Sequence, residues 1–309
     1  MPTDAGRFAP SPTGDLHLGN LRTALVAWLF ARSTSSRFVV RMEDLDRMTS
    51  SREHEARQLR DLAALGLDWD GEVVRQSERF DRYHAALDEL ERAGRTYRCW
   101  CTRREIRDAA AAPHGPGGEG LYPGSCRDLD ARSFAERAEA GRPFAVRFRR
   151  VVDELAFDDE LLGPQRWPVD DVVLSRNDGV PAYHLAVVVD DAAQGVELVV
   201  RGDDLAPATA SQLHLATVLG LPLPRHAHVA MVLNDRGERL SKRDGAVTLS
   251  DLSAQGVTAP RVLSFLARSL RLIGHDDTVD TARDLVASFR PEKLPAEPLA
   301  AGRVGPSRL

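Results

Sequence analysis

Residues 7–47, RFAPSPTGDLHLGNLRTALVAWLFARSTSSRFVVRMEDLDR, decide the fold. From Arg7 the pattern reads as a short strand, then the loop Ala9-Pro10-Ser11-Pro12-Thr13-Gly14. A helix of roughly Gly19 to Arg32 follows, amphipathic with Leu21, Leu25, Trp28 and Leu29 on its apolar side. Arg37-Phe38-Val39-Val40-Arg41-Met42 is a second strand, closed by Glu43-Asp44-Leu45-Asp46-Arg47 before a further helix through the fifties to Leu65. Strand, loop, helix and strand in that order form a βαβ unit of a parallel sheet. Ligands of such sheets lie beyond the carboxyl ends of the strands, so both loops are expected to face one crevice.

Outward from this unit, residues 66–94 complete a first half of the sheet, and regularity is lost between about 95 and 175. There Cys and Arg cluster, and the Pro- and Gly-rich tract 111–120 has neither helical nor strand period. Alternating α/β pattern resumes with Tyr183 to Val189, a strand Val196 to Val200, a helix near Ala206 to Leu219 and a strand His226 to Val232. The expected layout is therefore a sheet in two halves, 1–94 and 176–247, split by an insertion at 95–175. A helical region, 248–309, follows, with helices over Pro260 to Leu272 and Thr281 to Phe289 and a frayed tail from Pro295.

Composition bounds the function. With 309 residues, 43% hydrophobic and 28% charged, the chain is globular, and no apolar run reaches the length of a membrane span. The first residues lack the charged-then-apolar layout of a secretion signal, which predicts a cytoplasmic protein. A net charge of −5 argues against bulk attraction to nucleic acid, but its distribution is uneven. Residues 95–150 hold twelve Arg against seven acids, so the insertion carries +5 on an acidic body and can meet a phosphate backbone locally. Solvated helical faces explain such charge equally well.

Three short patterns carry chemistry. His17-Leu18-Gly19-Asn20 sits where a loop enters a helix, so the dipole and open amides can receive an anion such as the phosphates of ATP, and Gly19 allows close approach. Only Lys242 and Lys293 are lysine among 41 basic residues, and Lys242 lies in Leu240-Ser241-Lys242-Arg243 after Asp235-Arg236-Gly237. A compact ammonium on a mobile loop suits phosphate charge developing in a transition state. Cys99, Cys101 and Cys126 fall in one window and point to a metal site lacking its fourth ligand, for which chemistry would choose His114 in the intervening loop.

Together with Arg201-Gly202-Asp203-Asp204-Leu205, these pieces resemble the class I glutamyl-tRNA synthetases over about residues 7–250 and in the family's order. His17-Leu18-Gly19-Asn20 stands for that family's HIGH element with Asn20 replacing the final His, and Leu240-Ser241-Lys242-Arg243 for its KMSKS loop. The resemblance implies a Rossmann-type α/β catalytic domain with a zinc-containing insertion. It also implies ATP with magnesium as substrate, contacted by His17, Gly19, Asn20, Ser241 and Lys242, with His17 and Lys242 catalytic. A glutamate pocket is implied at Arg7, Ala9, Ser11, Glu43, Tyr183 and Arg201. In it, Arg7 and Arg201 can clamp a side-chain carboxylate through guanidinium forks and Glu43 can hold an α-ammonium. Val187 stands where the longer enzymes usually have Asn.

About 60 residues follow the Lys242 loop, too few for the anticodon-binding domains of the longer enzymes. The nearest resemblance is therefore to a truncated branch that glutamylates queuosine in the anticodon of tRNA(Asp), with activation that needs no tRNA and no protein partner. That branch carries Cys-x-Cys, about twenty residues, then Tyr-x-x-x-Cys, which implies structural zinc on Cys99, Cys101, Tyr122 and Cys126. The competing readings are a catalytic fragment charging tRNA(Glu), another class I nucleotidyl transferase, and a non-catalytic zinc-containing RNA-binding protein.

Overall fold

The computed structural model describes residues 4–102, 104–106, 121–233 and 248–300. Its strands are β1 (Ala5–Phe8), β2 (Arg37–Met42), β3 (Val74–Arg75), β4 (Thr96–Cys99), β5 (Ala145–Phe148), β6 (Glu154–Asp159), β7 (Gly163–Pro168), β8 (Val173–Ser175), β9 (Val196–Gly202), β10 (Arg225–Val229), β11 (Val232–Leu233) and β12 (Leu299–Ala300). The helices are α1 (Leu18–Ser33), α2 (Arg52–Ala64), α3 (Phe80–Arg92), α4 (Ala131–Glu139), α5 (Tyr183–Gln194), α6 (Ala206–Val218), α7 (Leu249–Ala254) and α8 (Ala259–Ser269).

Seven strands form one sheet in the order β3-β2-β1-β9-β10-β6-β7, parallel except for the antiparallel β6–β7 pair at one edge. From β1 the chain crosses through α1 to β2 on one side, and from β9 it crosses through α6 to β10 on the other. The order therefore reverses between β1 and β9, and a crevice opens there beyond the strand ends. Both loops of the opening βαβ unit face it, as the sequence predicts.

Four local expectations differ from the structure. Helix α1 is not amphipathic in its environment, because Ala24, Val26, Ala27 and Phe30 are buried as well as Leu21, Leu25, Trp28 and Leu29. The sheet covers one side of it, and Val262, Phe265 and Leu266 of α8 join the same core on another. At Gly6 a Cβ would stand 3.1 Å from Ala31 Cβ, so the glycine lets α1 pack close on β1.

The segment 95–175 is more regular than its composition suggests. The strands β4, β5 and β8 form a separate antiparallel sheet, while β6–β7 extends the main sheet beside β10. The stretch 281–289 contains a single 3-10 turn, Ala282–Leu285, rather than an α-helix. Leu299–Ala300 is not frayed but pairs in parallel with Val232–Leu233. No described helix is long and apolar enough to cross a membrane.

Candidate active site

The crevice at the β1/β9 reversal has a volume of about 710 Å³. Arg7, Ala9, Ser11, His17, Gly19, Asn20, Glu43, Tyr183 and Arg201 all line it, so the structure brings together every described residue that the sequence assigns to glutamate or ATP. Ser241 and Lys242 lie outside the described residues, as does His114.

The loops are tied to one another by backbone. Glu43 N–H donates to Pro10 O at 2.9 Å and Ser51 N–H to Pro12 O at 3.0 Å, while Gln58 Nε2 of α2 donates to Ser11 O and Gly14 O. The loop after β1 therefore has its carbonyls satisfied by the loop after β2 and by α2, which fixes the mouth of the crevice.

Charge at the crevice floor is arranged in a buried network. Arg7 donates to Val200 O at 2.8 Å and pairs with Asp191 of α5 at 3.4 Å. Arg41, fully buried, pairs with the same Asp191 oxygen at 2.7 Å, reaches Glu43 at 3.4 Å and donates to Gln194 Oε1. Burial pushes the Asp191 carboxyl up, but Arg41 and Arg7 outweigh it and hold it below its ordinary value. For Glu43 burial wins over Arg41 and Arg7, and the carboxyl is pushed up.

Arg201 is different. It is 6% exposed, and among the described residues it makes no ion pair. Its Nε–H donates to His228 Nε2 at 3.2 Å, Nη1 to Gln212 Oε1 at 2.7 Å, and Nη2 to Thr209 Oγ1 at 2.8 Å and Leu205 O at 3.3 Å. Tyr183 Oη stands 3.5 Å from Nη1. All these acceptors are neutral, and burial lowers the Arg201 pKa. Arg41 Nε also lies 3.8 Å from the buried Asp190, which Arg79 pairs at 2.7 Å.

At the other end of the crevice, His17 is the N-cap of α1. Its Nδ1 accepts from Gly19 N–H at 3.1 Å and Asn20 N–H at 3.3 Å, and Asn20 Oδ1 accepts from His17 N–H at 3.2 Å. This reciprocal cap explains Asn at the final position of the tetrapeptide, and it corrects one reading. The Gly19 and Asn20 amides are taken up by His17 and are not open to an anion. Gly19 is required because a Cβ there would come within 2.9 Å of His17 Cε1, so the glycine seats the imidazole.

The three thiols also meet. Cys99, Cys101 and Cys126 place their sulfurs within 4.8 Å of one another, with Tyr122 Oη 3.3 Å from Cys99 Sγ and 3.6 Å from Cys101 Sγ. A tetrahedral zinc–thiolate site has edges of about 3.8 Å, so three sulfurs and the phenol oxygen fit the corners of such a site. Tyr122 is held there by Cys126 N–H, which donates to its oxygen at 2.9 Å, and by the Arg147 guanidinium 3.8 Å above its ring.

Sequence reasoning missed Arg41, Asp191, His228 and Asp159. Arg41 was visible as a charge inside an apolar strand, a pattern that demands a buried partner. The others stand far along the chain from the residues they hold, and no local spacing marks them.

Residues 5–297 match the family model of the class I tRNA synthetase catalytic domain of the E and Q type. The chain belongs to this family. Among curated relatives, this synthetase is 58% identical to a glutamyl-Q tRNA(Asp) synthetase of Nocardia farcinica, over 95% of its own length and 92% of the relative's. It is 52% identical to one of Cutibacterium acnes, over 87% and 76%. Its fold matches a crystal structure of a glutamate tRNA ligase from Elizabethkingia meningosepticum in complex with its amino acid. The TM-score is 0.79 at 26% identity, covering 96% of this chain and 66% of that one. The fold is thus that of a class I synthetase catalytic domain.

Proposed function

We propose that this synthetase activates glutamate with ATP in the absence of tRNA, and transfers the glutamyl group to queuosine in the anticodon of tRNA(Asp), in the cytoplasm. The observation that carries the amino-acid assignment is Arg201, a buried cation oriented by neutral acceptors and making no ion pair among the described residues. A buried charge left in this way is costly unless a ligand completes it. Glutamate supplies a carboxylate that does so. Its side-chain carboxylate pairs with Arg201 and Arg7, beside Tyr183, and its ammonium with ionised Glu43. Ala9 and Ser11 supply the wall between them.

The chemistry is adenylation followed by acyl transfer. An α-carboxylate oxygen of glutamate attacks the α-phosphorus of ATP, and the bond to pyrophosphate breaks. A hydroxyl of the queuosine cyclopentene diol then attacks the acyl carbon, its proton is lost, and AMP leaves with the bonding pair. Because His17 Nδ1 accepts from the helix cap, the neutral ring carries its proton on Nε2, which can donate to a phosphate oxygen. Gly19 and Asn20 serve ATP by holding that ring, and Ser241 and Lys242 are assigned to the same phosphates on the sequence pattern. Magnesium enters with ATP and offsets phosphate charge.

For the insertion we propose structural zinc on Cys99, Cys101, Cys126 and Tyr122, supported by the sulfur and phenol geometry. The basic residues of 95–150 suit the phosphates of the tRNA partner.

Glutamate-dependent ATP–pyrophosphate exchange without tRNA tests the activation step. Exchange that appears only when tRNA(Glu) is added would contradict it and favour an ordinary tRNA(Glu)-charging reading.

A further inference from the structure

Arg201 is held from behind by a residue that does not line the crevice. His228 lies on β10, in register with Arg201 across the parallel β9–β10 pair, and is 1% exposed. Its Nε2 accepts the Arg201 Nε–H and stands 3.2 Å from Thr209 Oγ1, so that nitrogen bears no proton. The proton is on Nδ1, which donates to Asp159 Oδ2 at 2.5 Å.

Asp159 is the last residue of β6, and its other oxygen accepts the backbone N–H groups of Leu161, Leu162 and His228 at 2.9–3.2 Å. Burial pushes its carboxyl up, but the His228 bond and these amides hold it below its ordinary value, and burial lowers the His228 pKa despite Asp159. The pair is therefore a carboxylate and a neutral imidazole. The ring of His226 stacks on that of His228 at 5.9 Å.

An aspartate touching Arg201 would form an ion pair that the substrate carboxylate must displace. An imidazole orients the guanidinium through a lone pair and leaves its charge unmet, while the carboxylate that fixes the imidazole stays one ring further away. We propose that His228, oriented by Asp159, is the specificity-determining positioning residue of the amino-acid pocket. It aims Arg201 while keeping its charge for an acidic side chain, and so sets the preference for glutamate over glutamine. This rests on Arg201 being the carboxylate ligand proposed above. It also ties the β6–β7 hairpin, through Asp159 and His228, to substrate selection.

The experiment is ATP–pyrophosphate exchange by the full chain, with kcat and KM measured for glutamate and for glutamine. The double variant Asp159→Asn/His228→Glu conserves net charge but moves the carboxylate onto Arg201. It is expected to raise KM for glutamate by about 30-fold or more, to lower the glutamate-to-glutamine ratio of kcat/KM similarly, and to leave kcat within a few-fold. His228→Gln keeps a neutral acceptor and is expected to hold that ratio within about threefold.

An unchanged ratio in a folded double variant overturns the inference, and so does an equal loss in His228→Gln. Should the double variant fail to fold, His228→Leu, which removes only the acceptor, is expected to raise KM with kcat little altered, and an unaltered KM overturns the inference. Arg201→Gln separates the two levels. If it leaves the ratio unchanged, the carboxylate assignment itself fails; if it lowers the ratio while the double variant does not, only the role of His228 fails.

Discussion

At the scale of single residues, Glu43, proposed to hold the substrate ammonium, is expected to set the pH dependence of amino-acid binding. Its carboxyl must be ionised to hold an ammonium, yet burial pushes its pKa up against Arg41 and Arg7. The folded carboxyl thus keeps its proton to higher pH than the unfolded one, and its contribution to stability is lost as pH rises through the folded value. Binding runs the opposite way. KM for glutamate is expected to climb on acidification, beginning above the ordinary carboxyl value of about 4.3. In Glu43→Gln, KM should be high and nearly flat across the same range; a wild-type profile in that variant would remove Glu43 from the ammonium site.

Lys242→Ala is expected to lose most pyrophosphate exchange with little change in melting temperature, since a cation assigned to the phosphates acts chiefly in the transition state. Near-normal exchange would remove Lys242 from the phosphates. Lys242 lies outside the described residues, while Glu43 and the other described candidates were legible because each lies near a strand end or at a helix start, where local pattern predicts placement. Asp159, His228 and Asp191 were not. Their work is to hold Arg201, Arg7 and Arg41 across 27 to 184 residues of sequence, a relation that only the sheet order creates.

At the scale of elements, the start of α1 and the cysteine cluster each make a prediction. Gly19→Ala gains helix propensity but places a methyl within 2.9 Å of the His17 ring. Exchange should fall by about tenfold or more while the melting temperature moves only a few degrees, because the cost is a displaced imidazole and not a lost core contact. Unchanged exchange would mean that the seat of His17 does not matter.

Purified protein is expected to hold about one zinc. Cys99→Ser or Cys126→Ser should lower its content and loosen 95–130 without altering exchange directly. Retention in His114→Ala together with loss in Tyr122→Phe would support Tyr122 as the fourth ligand, and the reverse would replace it with His114. Element types were legible from period where one face met solvent. The helix α1 was placed correctly but its far side was read as exposed, because the distant α8 that covers it leaves no mark in its own period. The β6–β7 edge and the β11–β12 pair were hidden because partner choice between strands leaves no mark in either strand's own pattern.

At the scale of the whole molecule, the residues proposed for glutamate and a capped His17 share one crevice, and residues 95–150 of the sequence carry a charge of +5. Activation and acceptor choice are therefore separable: the crevice explains which amino acid is activated, and the acceptor must be read from the product. The decisive measurement supplies labelled glutamate, ATP and tRNA(Asp) with or without queuosine, and locates the label after nuclease digestion. The expected result is activation without tRNA, transfer only to the queuosine-containing tRNA(Asp), and label in the anticodon fragment. Label on the terminal adenosine of tRNA(Glu), or transfer to tRNA(Asp) lacking queuosine, would contradict it.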